Sequence, residues 1–284
     1  MPDAVRVASD SLVGRDAELR STFGSLRNLS EGHPRVVLVG GPAGIGKSRF
    51  AAAVSSLLRD GGTRVMTGAC LDLAAGAPPY SALIAAFRSA DPPAVDVLDA
   101  LTGEAHVRRS RLFELLRRTM AALARRRPTV LVVEDLHWSD RITRDALLYL
   151  VSMAREGRWA LLATYRDDEL RARPAVLDLL DAVQQHTLAH VTLDPLEPAD
   201  VAAQVAGITG RGVPPAHAAA IHRRTGGIPL LVEEVVAAEA GGTTGVPSHL
   251  RDLFLARMRR LGTRVAEAVE VVSVVGDGCT EQLV

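Results

Sequence analysis

The sequence predicts an α/β fold in which helices cover both faces of a parallel sheet. Continuous apolar, β-rich runs favour strands that are buried on both faces. Helical patterns separate these runs, as they do in successive βαβ units. A glycine-rich segment directly follows the first run, where such units bind ligands. With 284 residues, 48% of them hydrophobic, the chain can bury such a sheet, and disorder over most of its length is excluded.

Five segments are predicted to form the strands. The first, residues 36–39, consists of four consecutive valine or leucine residues. The others are residues 65–69, 130–133, 160–164 and 190–193. The clearest intervening helix is predicted over residues 108–127, where apolar side chains recur at helical spacing.

Strand patterns stop after residue 196, and only helical patterns follow. Three helices are predicted at residues 198–208, 214–225 and 229–240, each with a proline suited to a first turn. A glycine-rich loop at 241–245 then precedes two further helical patterns at 247–261 and 264–275. The chain therefore changes from an α/β part to an all-helical part.

The strongest motif lies at residues 41–48, Gly-Pro-Ala-Gly-Ile-Gly-Lys-Ser, which fit the phosphate-loop pattern G-x-x-x-x-G-K-[ST]. The predicted first strand precedes it and a helical stretch at 48–59 follows, which is the context the motif requires. Glycines let backbone N–H groups turn toward phosphate oxygens, and the helix start adds its positive dipole end. Lys47, the only lysine in the chain, is expected to reach the β- and γ-phosphates, and Ser48 to ligate Mg²⁺.

The strand predicted at 130–133 ends in two carboxylates, Glu134 and Asp135. Because the carboxyl ends of parallel strands face the ligand crevice, both side chains are expected near the phosphate loop. We assign the metal to Glu134 and polarisation of the attacking water to Asp135, and the reverse assignment stays open. Acidic residues after strands also serve as helix N-caps, which is the structural alternative.

Arg166 follows the strand predicted at 160–164 and is a candidate sensor of a γ-phosphate. A fixed cation there distinguishes a triphosphate from a diphosphate. The alternative is a surface arginine that pairs with the acidic residues 167–169. Nearby, Asp140 is interpreted as the N-cap of the next helix, whereas His137 and Trp138 either pack beside the site or link it to a partner surface.

Composition excludes several classes of function. Equal numbers of basic and acidic residues, 33 each, provide no bulk attraction to nucleic acid or an anionic membrane. The eight arginines of residues 108–127 do not form one stripe, so a solvated helix is favoured over a nucleic-acid surface. Two cysteines cannot provide a disulfide framework or a cysteine zinc site. No apolar stretch has the roughly 20 residues of a membrane span, and a cytoplasmic location is expected.

Together these segments resemble the STAND class of AAA-like P-loop NTPases, and more narrowly the nucleotide-binding region of large ATP-binding LuxR-type transcriptional regulators. Residues 12–15 resemble the entry motif that touches adenine and ribose, and residues 41–48 resemble Walker A. Residues 133–140 resemble an extended Walker B stretch, 164–166 the sensor strand, and 225–230 the lid motif whose proline packs on the base. Glu134 departs from the Asp that is more usual at its position.

The resemblance implies a three-layer α/β sandwich with a five-stranded parallel sheet in the order 5-1-4-3-2. It implies an adenine-contacting segment and helix at 1–34, the NTPase core at 35–196, a helical lid at 197–240 and the truncated beginning of a winged-helix domain at 247–284. ATP or ADP and Mg²⁺ are the implied cofactors. The implied nucleotide-binding residues are Val13, Gly14, Arg15, Gly41, Gly44, Ile45, Gly46, Lys47, Ser48, Arg49 and Pro229.

The implied function is an ATP/ADP switch in a signal-responsive transcriptional regulator, with slow Mg²⁺-dependent hydrolysis. The expected partners are an inducer or protein of unknown identity and, with ATP, other copies of the chain. DNA is expected to bind only through a C-terminal region that this chain does not include. The alternatives are the same switch with a cyclase or kinase output, and a continuously cycling AAA-type ATPase.

Overall fold

A computed structural model describes residues 12–29, 35–73, 78–103, 109–153, 156–170, 172–240 and 267–269. In this part of the chain, five strands form one parallel sheet: β1 (Arg35–Gly40), β2 (Arg64–Ala69), β3 (Thr129–Glu134), β4 (Trp159–Thr164) and β5 (Thr187–Thr192). The sheet order is β2-β3-β4-β1-β5, which is the order implied by the resemblance, read from the opposite edge. The predicted parallel sheet is therefore confirmed.

One helix precedes the first strand, the helices between the strands lie on both faces of the sheet, and three more follow it. They are α1 (Asp16–Arg27), α2 (Lys47–Asp60), α3 (Ser81–Arg88), α4 (Val95–Thr102), α5 (Arg109–Arg126), α6 (Arg141–Met153), α7 (Asp167–Leu170), α8 (Pro174–Val183), α9 (Pro198–Thr209), α10 (Pro215–Thr225) and α11 (Pro229–Ala240). Two short 3-10 helices, Leu136–Trp138 and Gln184–His186, complete the described elements.

The central strand β1 shows why the fold has three layers. Successive side chains of a strand point to opposite faces, and residues 36–39 are all almost fully buried. Val36 and Leu38 join an apolar core with α3, α5, α6 and α8, whereas Val37 and Val39 join a second core with α1 and α2. Continuous apolar runs therefore reflect burial on both faces of the sheet.

Strand β5 differs from its prediction in position and in burial. It begins at Thr187 rather than at residue 190, and its residues alternate between half-buried and exposed. The reason is that one face of the strand, with Ala189 and Val191, packs on the core formed with α1 and α2, whereas the other face is exposed. A strand that is covered on one face lacks a continuous apolar run, so the sequence signal of its first half is weak.

Four arginines of α5 are paired with acidic side chains on the protein surface. Glu114 accepts hydrogen bonds from Arg117 and Arg118 at 2.8 Å each, and Arg109 lies 3.2 Å from Asp145. The opposite face of α5 packs into the core through residues such as Leu116. This arrangement confirms the interpretation of a solvated amphipathic helix.

Helices α9, α10 and α11 pack around a small apolar core of their own, and the term lid is used below for these three helices. That core consists of Leu196, Val201, Val205, Ile221, Val232 and Val236. Helices α9 and α11 begin at the predicted prolines, Pro198 and Pro229. Helix α10 begins at Pro215, one residue later than predicted, because Pro214 has an extended backbone.

The predicted winged-helix segment, residues 247–284, lies outside the described residues except for 267–269, which are helical. That part of the domain prediction stays a prediction. None of the helices in the described part of the chain has the length and apolar character needed to cross a membrane.

The tightest contact between the sheet and a helix predicts a measurable loss of stability. A Cβ added to Gly68 on β2 would lie 1.9 Å from the carbonyl oxygen of Ala82 in α3, so the helix backbone would have to move. We expect Gly68→Ala to lower the free energy of unfolding by about 2–3 kcal/mol, as measured by denaturant titration.

Gly24 on α1 is the matched control, because a Cβ there would meet nothing within 4 Å. Gly24→Ala should raise the free energy of unfolding by about 0.5–1 kcal/mol through a better helix propensity. An unchanged stability of Gly68→Ala would contradict the close packing of α3 on β2.

Candidate functional site

The candidate site begins with the loop that joins β1 to α2, residues 41–46. Gly41, Gly44 and Gly46 have φ values of 148°, 79° and 98°, a region that residues with a Cβ rarely adopt. Ile45 is buried in the core formed with α1 and α2, and anchors the loop from below. The loop is thus a fixed backbone turn at the start of a helix, which is the geometry of an anion cradle.

Lys47 is the first residue of α2, and its side chain folds back into the loop. Its Nζ atom donates hydrogen bonds to the carbonyl oxygens of Gly41 at 2.7 Å and Pro42 at 2.8 Å. Burial lowers the pKa of Lys47 to about 8, and the positive charge of Arg166 acts in the same direction. The ammonium is therefore held inside the loop with few partners other than backbone oxygens.

Glu134, the last residue of β3, lies beside the start of α2. Burial raises the pKa of Glu134, and the nearby Ser48 hydroxyl opposes this shift. The structure therefore brings together the two residues predicted to hold Mg²⁺, both of which present oxygen atoms.

Asp135 follows β3 with a left-handed backbone, φ 53° and ψ 46°, which Asp tolerates better than most residues. Its backbone N–H donates to Thr164 Oγ1 at 3.0 Å, so the ends of β3 and β4 are tied together. Burial raises the pKa of Asp135, while the nearby charges of Arg166 and Lys47 act to lower it. Both predicted phosphate-binding cations therefore act electrostatically on its carboxylate.

Arg166 lies where β4 ends, between the loop after β1 and the carboxylates after β3. Its Nη1 atom is 2.7 Å from Glu169 Oε1, and its guanidinium carbon lies 4.7 Å from the centre of the Trp138 ring. The pairing with an acidic neighbour is therefore confirmed, whereas the role of Arg166 as a γ-phosphate sensor stays a prediction. Arg166 pairs with an acidic neighbour, as the alternative supposed, and it also lies close enough to Lys47 and Asp135 to affect their pKa values.

His137 is fully buried next to Arg166. Its Nδ1 atom accepts the backbone N–H of Arg166 at 3.3 Å, and its ring lies 4.6 Å from that of Trp138. Its Nε2 atom lies 4.0 Å from carboxylate oxygens of both Asp135 and Glu169, beyond hydrogen-bond distance. Burial lowers the pKa of His137 to about 4, so the ring is neutral at pH 7. A packed aromatic pair with a hydrogen-bonded histidine describes this region.

Asp140 caps α6 rather than taking part in the site. Its Oδ1 atom accepts the backbone N–H of Thr143 at 2.9 Å, which is the geometry of an N-cap. The N-cap interpretation is confirmed.

The lid contacts the phosphate loop directly. The Leu230 N–H donates to the Gly44 carbonyl oxygen at 3.2 Å, and Arg49 on α2 lies 2.8 Å from Glu233 on α11. Pro229 begins α11, and its carbonyl oxygen accepts a hydrogen bond from Gln204 at 3.0 Å. Residues that are more than 180 positions apart in the sequence thus meet at this loop and at the start of α2.

The segment predicted to contact adenine lies where the sheet meets the lid. Arg15 is buried, and its guanidinium donates to the carbonyl oxygen of Asp194, just after β5. Gly14 approaches α9 so closely that a Cβ there would lie 2.6 Å from Cγ of Asp200. Val13, Gly14 and Arg15 therefore lie at the junction of core and lid, although their role toward a base stays a prediction.

Sequence reasoning did not single out Gln204 or Glu233. Each contributes to the site through a contact with a distant part of the chain, and the pair of Arg49 and Glu233 is separated by 184 residues. The sequence identifies Glu169 only as an acidic neighbour of Arg166. Glu169 lies three residues after Arg166 in a helical turn, and this spacing is the sequence signal for such a pair.

Comparison with known proteins agrees with this geometry. Residues 11–163, more than half of the chain, match the family model described as an AAA ATPase domain. An uncharacterized protein of Rhizobium meliloti (strain 1021) is 27% identical over 325 aligned positions, which cover 95% of this chain but only 30% of that protein. The chain thus spans less than a third of this relative's length.

Two solved structures share the fold at low sequence identity. The Aeropyrum pernix ORC2 protein, determined as ADPNP-ADP complexes, has a TM-score of 0.56 at 17% identity and covers 87% of this chain and 69% of its own. Cdc6p from Pyrobaculum aerophilum has a TM-score of 0.57 at 16% identity, with 84% and 67% covered. These similarities confirm the predicted fold class, a parallel sheet with flanking helices of the P-loop NTPase type.

Burial of neutral His137 predicts that acid destabilises the protein. The pKa of His137 is about 4 in the folded protein and 6.5 in the ordinary case, so between these values the unfolded chain binds a proton that the folded protein does not. The free energy of unfolding should therefore fall as pH falls from about 6.5 to about 4, by at most about 1.4 kcal/mol per pH unit from this group. Denaturant titrations at a series of pH values measure it.

The comparison protein is His137→Gln, which cannot take up a proton. Its stability should fall less steeply than that of the wild type over this pH range, since all other titrating groups are shared. Equal slopes for the two proteins would show that His137 is not buried in its neutral form.

Proposed function

This chain belongs to the AAA ATPase domain family, and we propose that it is an ATP/ADP-binding switch module of a signal-responsive transcriptional regulator, with slow Mg²⁺-dependent ATP hydrolysis. One observation carries the proposal. The lid lies directly on the phosphate loop through the bond between Leu230 and Gly44 and the ion pair between Arg49 and Glu233. A nucleotide bound at this loop would therefore act on the contact between core and lid.

The phosphate loop provides a suitable cradle for the phosphates of a nucleotide. Gly41, Gly44, Ile45 and Gly46 contribute a rigid turn, and Lys47 holds an ammonium within it. A compact ammonium on a thin stem suits this enclosed position better than a planar guanidinium does. Phosphate oxygens would replace backbone carbonyls as partners of Lys47, which would recover the cost of its burial.

Ser48 and Glu134 fit a Mg²⁺ site because both present oxygen, and the Ser48 hydroxyl lies close enough to Glu134 to lower its pKa. When bound, Mg²⁺ would supply positive charge that neutralises the β- and γ-phosphates. Asp135 would orient the attacking water, since its carboxylate is the next one along the same edge of the sheet. Glu134 is one methylene longer than the usual Asp, which favours slow hydrolysis over loss of binding.

The base would lie between the entry segment and the lid. Val13, Gly14 and Arg15 lie at the junction of core and lid, and Pro229 lies at the start of α11 beside the phosphate loop. In the regulators that the chain resembles, these positions touch the adenine, its ribose and the face of the base. A ligand held by both parts would keep the lid against the core.

The output of the switch follows from the resemblance to LuxR-type regulators rather than from a site in the described residues. The Rhizobium meliloti relative is more than three times as long as its matched region, which supports a module within a larger protein. An inducer or protein partner would release the resting state, and ATP would then permit self-association. A cyclase or kinase output would use the same switch.

The second candidate function is a continuously cycling AAA-type ATPase, which the family membership favours equally. The two candidates differ in rate. A switch should hydrolyse ATP far more slowly than once per second, whereas steady turnover at tens per second that depends on Glu134 and Asp135 would favour the cycling enzyme.

Removing the ammonium of Lys47 tests nucleotide binding. We expect Lys47→Ala to weaken the affinity for ATP at least tenfold, about 1.4 kcal/mol, because a charge-assisted contact to phosphate is lost. Isothermal titration calorimetry of the folded variant with ATP and with ADP measures the effect.

The matched control is Arg59→Ala, which removes an exposed cation near the other end of the same helix. It should bind ATP as the wild type does. If Lys47→Ala and the wild type bind ATP and ADP equally, residues 41–48 are not a phosphate-binding loop and the proposal is wrong.

A further inference from the structure

Arg166 is held by contacts from three directions. Its backbone N–H donates to His137 Nδ1 at 3.3 Å, its guanidinium lies over the Trp138 ring at 4.7 Å, and its Nη1 atom is 2.7 Å from Glu169 Oε1. About three quarters of each charged side chain in the pair of Arg166 and Glu169 is shielded from solvent. Such a pair is stronger than a fully exposed one.

The same arginine lies at the phosphate end of the site. Strand β4 is the neighbour of both β1 and β3 in the sheet, so Arg166 emerges between Lys47 and Asp135. A guanidinium binds phosphate through its terminal amino groups, and one of these, Nη1, is the group that contacts Glu169. A terminal phosphate that binds both terminal amino groups of Arg166 in a bidentate pair would therefore displace Glu169 from Nη1.

Glu169 would not be left alone if Arg166 moved to a phosphate. Its other oxygen, Oε2, lies 3.6 Å from the Arg173 guanidinium and 4.0 Å from the buried Nε2 atom of His137. That Nε2 atom has no hydrogen-bond partner in the described part of the chain. Glu169 can therefore release Arg166 without becoming an unpaired charge, because Arg173 and the N–H of His137 lie near its carboxylate.

We propose that Glu169 sets the preference of this site between ATP and ADP, because it competes with the γ-phosphate for Arg166. This inference rests on the proposed function, since it assumes that the site binds both nucleotides. ADP lacks the γ-phosphate, so it can bind while the pair of Arg166 and Glu169 stays intact. ATP must break the pair, so Glu169 biases the switch toward its ADP-bound form.

The test compares ATP and ADP affinities of Glu169→Gln and the wild type. The amide keeps the size and the hydrogen-bonding oxygen of Glu169 but lacks the charge that attracts Arg166. Isothermal titration calorimetry with ADP and with a non-hydrolysable ATP analogue should show the ratio of ATP to ADP affinity rising about three- to tenfold, with ADP affinity changed less than about twofold. An unchanged ratio, or an equal change for both nucleotides, would overturn the inference.

Two further variants separate the specific contact from general charge. Asp167→Asn removes one negative charge from the same helical turn without touching the Arg166 pair, and it should leave the ratio near that of the wild type. Arg173→Gln removes the second cation from Glu169, so Glu169 should hold Arg166 more tightly and the ratio should fall. A ratio that rises equally in Asp167→Asn would show that only local charge matters.

A double variant tests whether Glu169 acts through Arg166. In the Arg166→Ala background, Glu169→Gln should no longer change the ratio, provided that circular dichroism shows both proteins folded. A full effect of Glu169→Gln without Arg166 would contradict the inference. If the wild type binds neither nucleotide, the proposed function fails as well, whereas normal binding with an unchanged ratio in Glu169→Gln removes this inference alone.

Discussion

The site depends on the register of three neighbouring parallel strands. Val39 pairs with Thr164, and Val133 pairs with Ala163, so the carboxyl ends of β1, β4 and β3 lie at one level of the sheet. Each end then turns into a segment with a different chemical role: a glycine loop with an ammonium, an arginine, and two carboxylates. The hydrogen bond from the Asp135 backbone to Thr164 fixes two of these ends to each other. A slip of one residue in this pairing would separate the groups.

The only lysine of the chain is buried within the phosphate loop. The chain uses arginine at every other lysine or arginine position, yet Lys47 lies inside a loop whose backbone oxygens accept hydrogen bonds from its ammonium group. Burial lowers the pKa of Lys47 to about 8. The carboxyl groups of Glu134 and Asp135 have raised pKa values for the same reason. Basic and acidic side chains thus lie close together in a partly buried site, where electrostatic interactions with a bound phosphate are stronger than in water.

The sequence contained the local part of the site but little of its long-range part. The phosphate loop, the carboxylates after β3 and Arg166 are each encoded in a few consecutive residues, and the sheet order was implied by the family that those motifs resemble. The contact of Glu233 with Arg49, in contrast, depends on how the lid packs on α2, which no local pattern records. Strand β5 was only partly predicted, because a strand with one exposed face lacks the continuous apolar run of a strand buried on both faces.

Amide hydrogen exchange of residues 41–49 tests the central claim most directly, because the claim is that backbone N–H groups of this loop bind phosphate. Exchange is measured on the wild-type protein alone, with ADP and Mg²⁺, and with adenosine and Mg²⁺. The expected result is slower exchange of this segment with ADP but not with adenosine, since adenosine has no phosphate. Equal exchange in all three samples, at ADP concentrations in the millimolar range, would contradict the claim.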